Sequence, residues 1–87
     1  MVKNLYCVLD VVAKQVVSGI IQESNDAPAI RAFYDALRQP ESLLGQHPAD
    51  FVLLYIGGLD TTDGTMLFGE TTTVATGTGW LEAQKGN

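Results

Sequence analysis

The sequence predicts an α+β fold: a small antiparallel sheet in the order ββαββ, with a possible fifth strand, packed against one amphipathic helix. Three observations lead there. Ile30, Phe33, Tyr34 and Leu37 recur at i, i+3, i+4 and i+7, which places their side chains on one stripe of a helix. On either side of that stretch, the apolar runs are short and rich in β-branched and aromatic residues, which favour strands. The connections are brief and carry Gly, Pro, Asn and Asp, so neighbouring strands run antiparallel.

Taken in order, Lys3 to Leu9 reads as the first strand, with Leu5, Cys7 and Leu9 alternating with Tyr6 and Val8 and Asp10 closing it. Gln15 to Gln22 supplies Val16, Val17, Ile20 and Ile21 for a second, interrupted at Ser18-Gly19, where the glycine suggests a bulge or a close approach by a neighbour. One longer helix across Val11 to Ile21 is the weaker alternative, because β-branched residues lose rotamer freedom there. Asn25 or Asp26 caps the main helix, Pro28 fits its first turn, and Pro40 ends it near Gln39. Leu43 and Leu44 then tuck under the helix end. Pro48 takes the second position of a turn, with Asp50 as its side-chain acceptor.

Phe51 to Ile56 follows as an unbroken apolar run bounded by Gly57-Gly58, with a kink expected at those glycines. Such a strand has no polar face, so cover is expected on both sides, from the helix on one and from a partner chain or the C-terminal segment on the other. Asp60 to Gly64 is a hairpin loop, Thr65 to Phe68 the returning strand, and Thr71 to Thr76 an edge-like strand. Residues 1–76 thus make a single α+β domain and 77–87 a C-terminal tail or arm, in which Trp80-Leu81 is unfavourable to leave in water.

A chain of 87 residues builds one modest core and no second domain. Ten acidic against five basic side chains give a net charge of −5, which opposes any contact that neutralises several phosphates. Single-stranded DNA is therefore a disfavoured partner and a protein a favoured one. Lys3, Lys14, Arg31, Arg38 and Lys85 are scattered along the sequence. Cys7 has no internal disulfide partner, and no charged-then-apolar leader is visible, which together suggest a reduced, intracellular protein. No apolar run approaches the ~20 residues that cross a bilayer, so a soluble protein without membrane contact is expected.

Catalysis needs a positioned acid, base or nucleophile, and little here supplies one. His47, before Pro48 in a polar turn, reads as a turn or cap residue, and Cys7 in an apolar strand as a small buried hydrophobe. One Cys and one His do not furnish a tetrahedral zinc site. Asp60 and Asp63 lack the further ligands of a calcium loop, and Gly77-Thr78-Gly79 lacks the lysine of a phosphate cradle. No enzyme activity, metal or cofactor is expected. Two features exceed a plain core. The apolar surface of Phe51–Ile56, Val16–Ile21 and Trp80 is more than one helix covers, which predicts self-association as a dimer. Arg31, Asp35 and Arg38 line the polar helix face, a solvated surface by default and otherwise a pair of guanidinium groups for an acidic partner.

Ala29-Ile30-Arg31-Ala32-Phe33 with Asp35, then His47-Pro48-Ala49-Asp50-Phe51, Leu53, Ile56-Gly57, Asp60 and Gly64, resembles the small nonstructural protein of gokushovirus-type microviruses, which are small single-stranded DNA phages. Tyr6, Val8 and Asp10 fit the same pattern, so the resemblance runs from Leu5 to Gly64. It implies a non-catalytic protein made in the cytoplasm of the infected bacterium and absent from the virion. Such proteins are associated with the switch from genome replication to single-strand synthesis and packaging, and DNA binding is often attached to them. The expected partner is a viral or host replication protein or a procapsid protein. Candidate partner contacts are Arg31, Asp35, Arg38, His47, Asp50 and Trp80; candidate self-association residues are Phe51, Leu53 and Tyr55. The runner-up is direct single-strand binding, with Tyr6, Tyr34, Phe51, Tyr55 or Trp80 as stacking platforms.

Overall fold

The two longest strands set the architecture. In the computed structural model, which describes residues 1–85, β1 (Val2–Asp10) pairs antiparallel with β4 (Phe51–Asp60) from Val2 opposite Asp60 to Asp10 opposite Phe51. β2 (Gln15–Val16) and β3 (Ile21–Glu23) pair with the other edge of β1, and β5 (Met66–Leu67) and β6 (Thr72–Thr76) with the other edge of β4. The result is an open antiparallel sheet of six strands, accompanied by α1 (Asp26–Leu37), α2 (Leu43–Gln46), a 3-10 turn at Pro48–Asp50, and α3 (Gly77–Lys85). The class is the predicted α+β.

Helix α1 has the signals its sequence carries. The Asn25 side chain accepts the Ala27 N–H at 3.0 Å, and Ala29, Phe33 and Leu37 form its buried stripe, with Ile30 and Tyr34 half-buried at the margin. It stops at Leu37, short of Gln39, in a tightened last turn where the Arg38 N–H is shared between the Tyr34 and Asp35 carbonyls and the Gln39 N–H bonds the Ala36 carbonyl. Ser42 caps α2 by accepting the Gly45 N–H, and Leu44 packs on the core while Leu43 is 51% exposed. Only one of the two leucines tucks under.

Several expectations need correction. The second strand is split: the Val8 N–H donates to Ser18 Oγ at 2.8 Å, so a hydroxyl takes the place of a ladder carbonyl. Nothing crowds Gly19, so a bulge-like break, and not a close neighbour, is the reason for it. β4 does not end at Gly57-Gly58 but continues to Asp60. Gly57 has φ +148°, a side chain there would sit 2.6 Å from the Leu67 carbonyl, and the β1–β4 register shifts at this point. The glycines carry a bulge that lets the ladder continue. The turn before β4 is closed by the Asp50 N–H on the His47 carbonyl at 3.0 Å with no side-chain cap, so Asp50 is not its side-chain acceptor.

Residues 77–85, expected as part of a tail or arm, form α3, which packs against the 3-10 turn, β6 and α1. The pairing of α3 with the turn depends on Gly77, since a Cβ there would lie 1.6 Å from the Pro48 carbonyl oxygen. Residues 86–87 of that segment lie outside the described residues.

Alternation along the strands divides the sheet into two unlike faces. Tyr6 and Val8 of β1, Phe51 and Leu53 of β4, and Ala75 of β6 face the helices, and Phe33, Leu37, Leu44 and Trp80 complete that core. On the other face the ladder aligns Leu5, Cys7 and Leu9 with Val52 and Leu54, continued by Val16 beside Leu9 and Met66 beside Leu59. Among the described residues no helix covers it, although Leu5 and Cys7 are buried there and Leu9, Val52 and Leu54 half-buried.

Candidate functional site

The helix side carries a groove of about 280 Å³ where β1, β4 and β6 meet the start of α1, lined by Asn4, Asp26, Tyr55, Thr72 and Val74. Its floor is built from the strand pattern. Asn4 and Tyr6 share one face of β1, so the Asn4 Nδ2 donates to Tyr6 Oη at 3.0 Å. Tyr6 Oη donates in turn to Asp26 Oδ1 at 2.5 Å, and Asp26 is held there by the first turn of α1. The Tyr55 ring meets the Tyr6 ring edge-on, with centroids 5.9 Å apart. Burial first, then the bond to the Asp26 carboxylate, pushes the Tyr6 hydroxyl up to about 12. Tyr6 is therefore a neutral donor at any physiological pH.

The carboxylates at the β4–β5 turn have a different role. Asp60 accepts the Thr62 N–H and Asp63 the Thr65 N–H, each at 2.9 Å, and these bonds hold both below the usual carboxylate range. The amino group of Met1 lies 3.5 Å from Asp60 and donates to Thr62 Oγ1. These contacts close a hairpin whose Gly64 takes φ +81°. Among the described residues, no three of His, Cys, Asp and Glu converge as metal ligands. Burial pushes the Cys7 thiol up, away from the reactive thiolate.

The predicted contact residues separate into three groups. Arg31, Asp35 and Arg38 all lie exposed on α1, but Arg38 pairs with Asp35, which engages one of the two guanidinium groups. His47 is exposed and Asp50 half-buried at the 3-10 turn, against which α3 packs, while Trp80 of α3 seals the core. Trp80 Nε1 is buried without a hydrogen-bond partner. Phe51 and Leu53, expected to mediate self-association, are fully buried in the chain's own core. Their neighbours Val52 and Leu54 occupy the open face, because successive strand residues point to opposite sides. Tyr55 lies in the groove. As stacking platforms, Tyr6 and Phe51 are inaccessible, whereas Tyr34, Tyr55 and Trp80 are half-buried.

Sequence reasoning missed Asn4, Thr72 and Val74, and took Asp26 only as a cap. The alternation of Tyr6 with Leu5 was visible, but the meeting of residue 4 with residue 26 depends on tertiary placement.

Comparison with known proteins adds a family to this fold. The family model described as phage ORF5 protein matches residues 3–79. The chain belongs to the phage ORF5 protein family. The match extends beyond Gly64, where the resemblance read from the sequence stopped, and takes in β5, β6 and the first residues of α3. This ORF5-family chain is thus a phage protein over nearly its whole length. Among curated proteins and among solved structures, nothing matches it.

Proposed function

We propose that this phage ORF5-family protein is a non-catalytic accessory protein of viral DNA replication, or of the switch to single-strand synthesis and packaging, that acts through protein–protein contacts. The observation that carries this reading is the apolar face of the sheet over which no described helix lies, where Leu9, Val52 and Leu54 are half-buried and Val16 and Met66 exposed around the buried Leu5 and Cys7. Antiparallel sheets with one solvated face alternate apolar and polar residues, whereas here both central strands are apolar on the face turned away from the helices. Of the β1 and β4 positions on that face, only Lys3 is charged. For a chain of net charge −5, a face on which β1 and β4 present no carboxylate is one on which two copies meet without repulsion from these strands.

The occupant is a second copy, giving a homodimer with the helix layers outward. A molecule of 43 × 28 × 22 Å has room on its broad side for the about 800 Å² per partner of a standard interface. The exposed helix layer then faces a viral or host replication protein or a procapsid protein, in the cytoplasm of the infected cell and outside the virion. Direct single-strand binding is the weaker reading: Tyr6 and Phe51 cannot stack, Arg38 pairs with Asp35, and Lys85 lies near Glu82.

The test is capture of the tagged protein from infected cells after nuclease treatment, alongside a salt titration against oligonucleotides. A phage or host replication or procapsid protein retained after nuclease, with no oligonucleotide binding at low salt, is the expected result. Micromolar oligonucleotide binding that falls steeply with salt contradicts it.

A further inference from the structure

We infer that the Tyr6–Asp26 groove binds an arginine side chain presented by a protein partner. The groove lies on the helix side of the sheet, so this binding is separate from the proposed role above and independent of whether two copies associate.

The groove is a built site that offers acceptors and an aromatic wall. Tyr6, fully buried, donates its only hydroxyl proton to Asp26 Oδ1 and so fixes the carboxylate. Asn4 directs its Nδ2 to Tyr6 Oη, which leaves its Oδ1 as an acceptor. Thr72 Oγ1 donates to the Glu70 carbonyl, so it too has lone pairs to offer. Among the described residues, Asp26 forms no ion pair, and the ammonium of Lys3 bonds to Ser24 Oγ. A ligand that satisfies this wall brings several donors and a positive charge.

A guanidinium meets those needs better than an ammonium. It is planar, presents N–H groups in a fixed fork that spans two neighbouring acceptors, and stacks on an aromatic ring such as Tyr55. Its aliphatic stem is suited to Val74, and a groove of about 280 Å³ admits the whole side chain. The chain's net charge of −5 draws a basic segment toward it.

The experiment titrates the full protein with a capped Gly-Arg-Gly peptide while amide NMR shifts are followed, with the lysine and citrulline peptides and putrescine as separate arms. Expected are saturable shifts confined to the neighbourhood of Asn4, Asp26, Tyr55, Thr72 and Val74, weaker binding of lysine and putrescine, and none of citrulline. Asp26→Asn keeps an acceptor for Tyr6 but removes the charge, and lowers affinity at least about tenfold, the loss of one charge-assisted hydrogen bond. Unchanged shifts of the free variant outside the groove show that it folds. Absence of saturation, equal binding by Asp26→Asn, tighter binding of lysine or putrescine, or shifts spread over all the acidic residues overturns the proposal.

Discussion

Tyr6 shows how one side chain serves both packing and polarity. Its ring is fully buried in the core while its hydroxyl bridges Asn4 and Asp26 at the groove floor. Tyr6→Phe should cost about 1–2 kcal/mol in urea unfolding, through the lost hydrogen bond and the unpaired neighbours. It should also flatten the alkaline limb of stability. The folded value of about 12 lies above the ordinary 10.0, so folding favours the neutral phenol; this contribution is whole below pH 10 and disappears as pH rises toward 12. A wild-type melting temperature that does not fall over that range counts against it. At the acid end the sign reverses. Asp60 and Asp63 titrate below their ordinary value of 3.8, so their contribution is present above that pH and is lost as pH falls through the depressed folded values. Asp60→Asn should make the acid limb of the melting curve shallower. The turn around these residues was legible because Asx turns and a Gly at positive φ are local; the Asn4–Tyr6–Asp26 chain was not, because it joins a strand to a helix.

At the level of elements, local chemistry wrote α1 clearly: the Asn25 cap, the Pro28 first turn and the 3.6-residue stripe all agree. β4 was harder to read. A glycine pair resembles a strand end, and only the neighbouring strand shows that Gly57 carries a bulge. Gly57→Ala should therefore destabilise by more than about 2 kcal/mol and loosen the β5 pairing, because a Cβ meets the Leu67 carbonyl at a disfavoured φ. The same strand gives a sharper contrast between adjacent residues. Leu53→Ala empties a fully buried site and should cost about 2–5 kcal/mol, while Leu54→Glu should leave the melting temperature of the single chain nearly unchanged. If Leu54→Glu unfolds the chain, the faces of β4 are misassigned. The sequence showed that strand to be apolar on both sides; which side its own helices cover followed only from the packing, and that phase decides whether Phe51 and Leu53 or Val52 and Leu54 are free to associate.

For the whole molecule, the decisive property is one-sided layering: helices on one face of the sheet and, on the other, an apolar face without a helix, on which Leu5 and Cys7 are buried and Leu9, Val52 and Leu54 half-buried. Composition hinted at it through surplus apolar residues and an acidic balance, but it could not say that α3 adds to the helix layer and leaves the far face without a helix. Association through that face is thus the physical core of the proposed role. Sedimentation equilibrium on the wild-type chain and on Leu54→Glu tests it most directly. A concentration-dependent dimer of the 9.3 kDa chain that becomes monomeric in the variant, with circular dichroism unchanged, is the predicted result. A wild-type protein that stays monomeric at about 100 µM, well above the micromolar range in which transient interfaces assemble, or a dimer that the variant leaves intact, contradicts it.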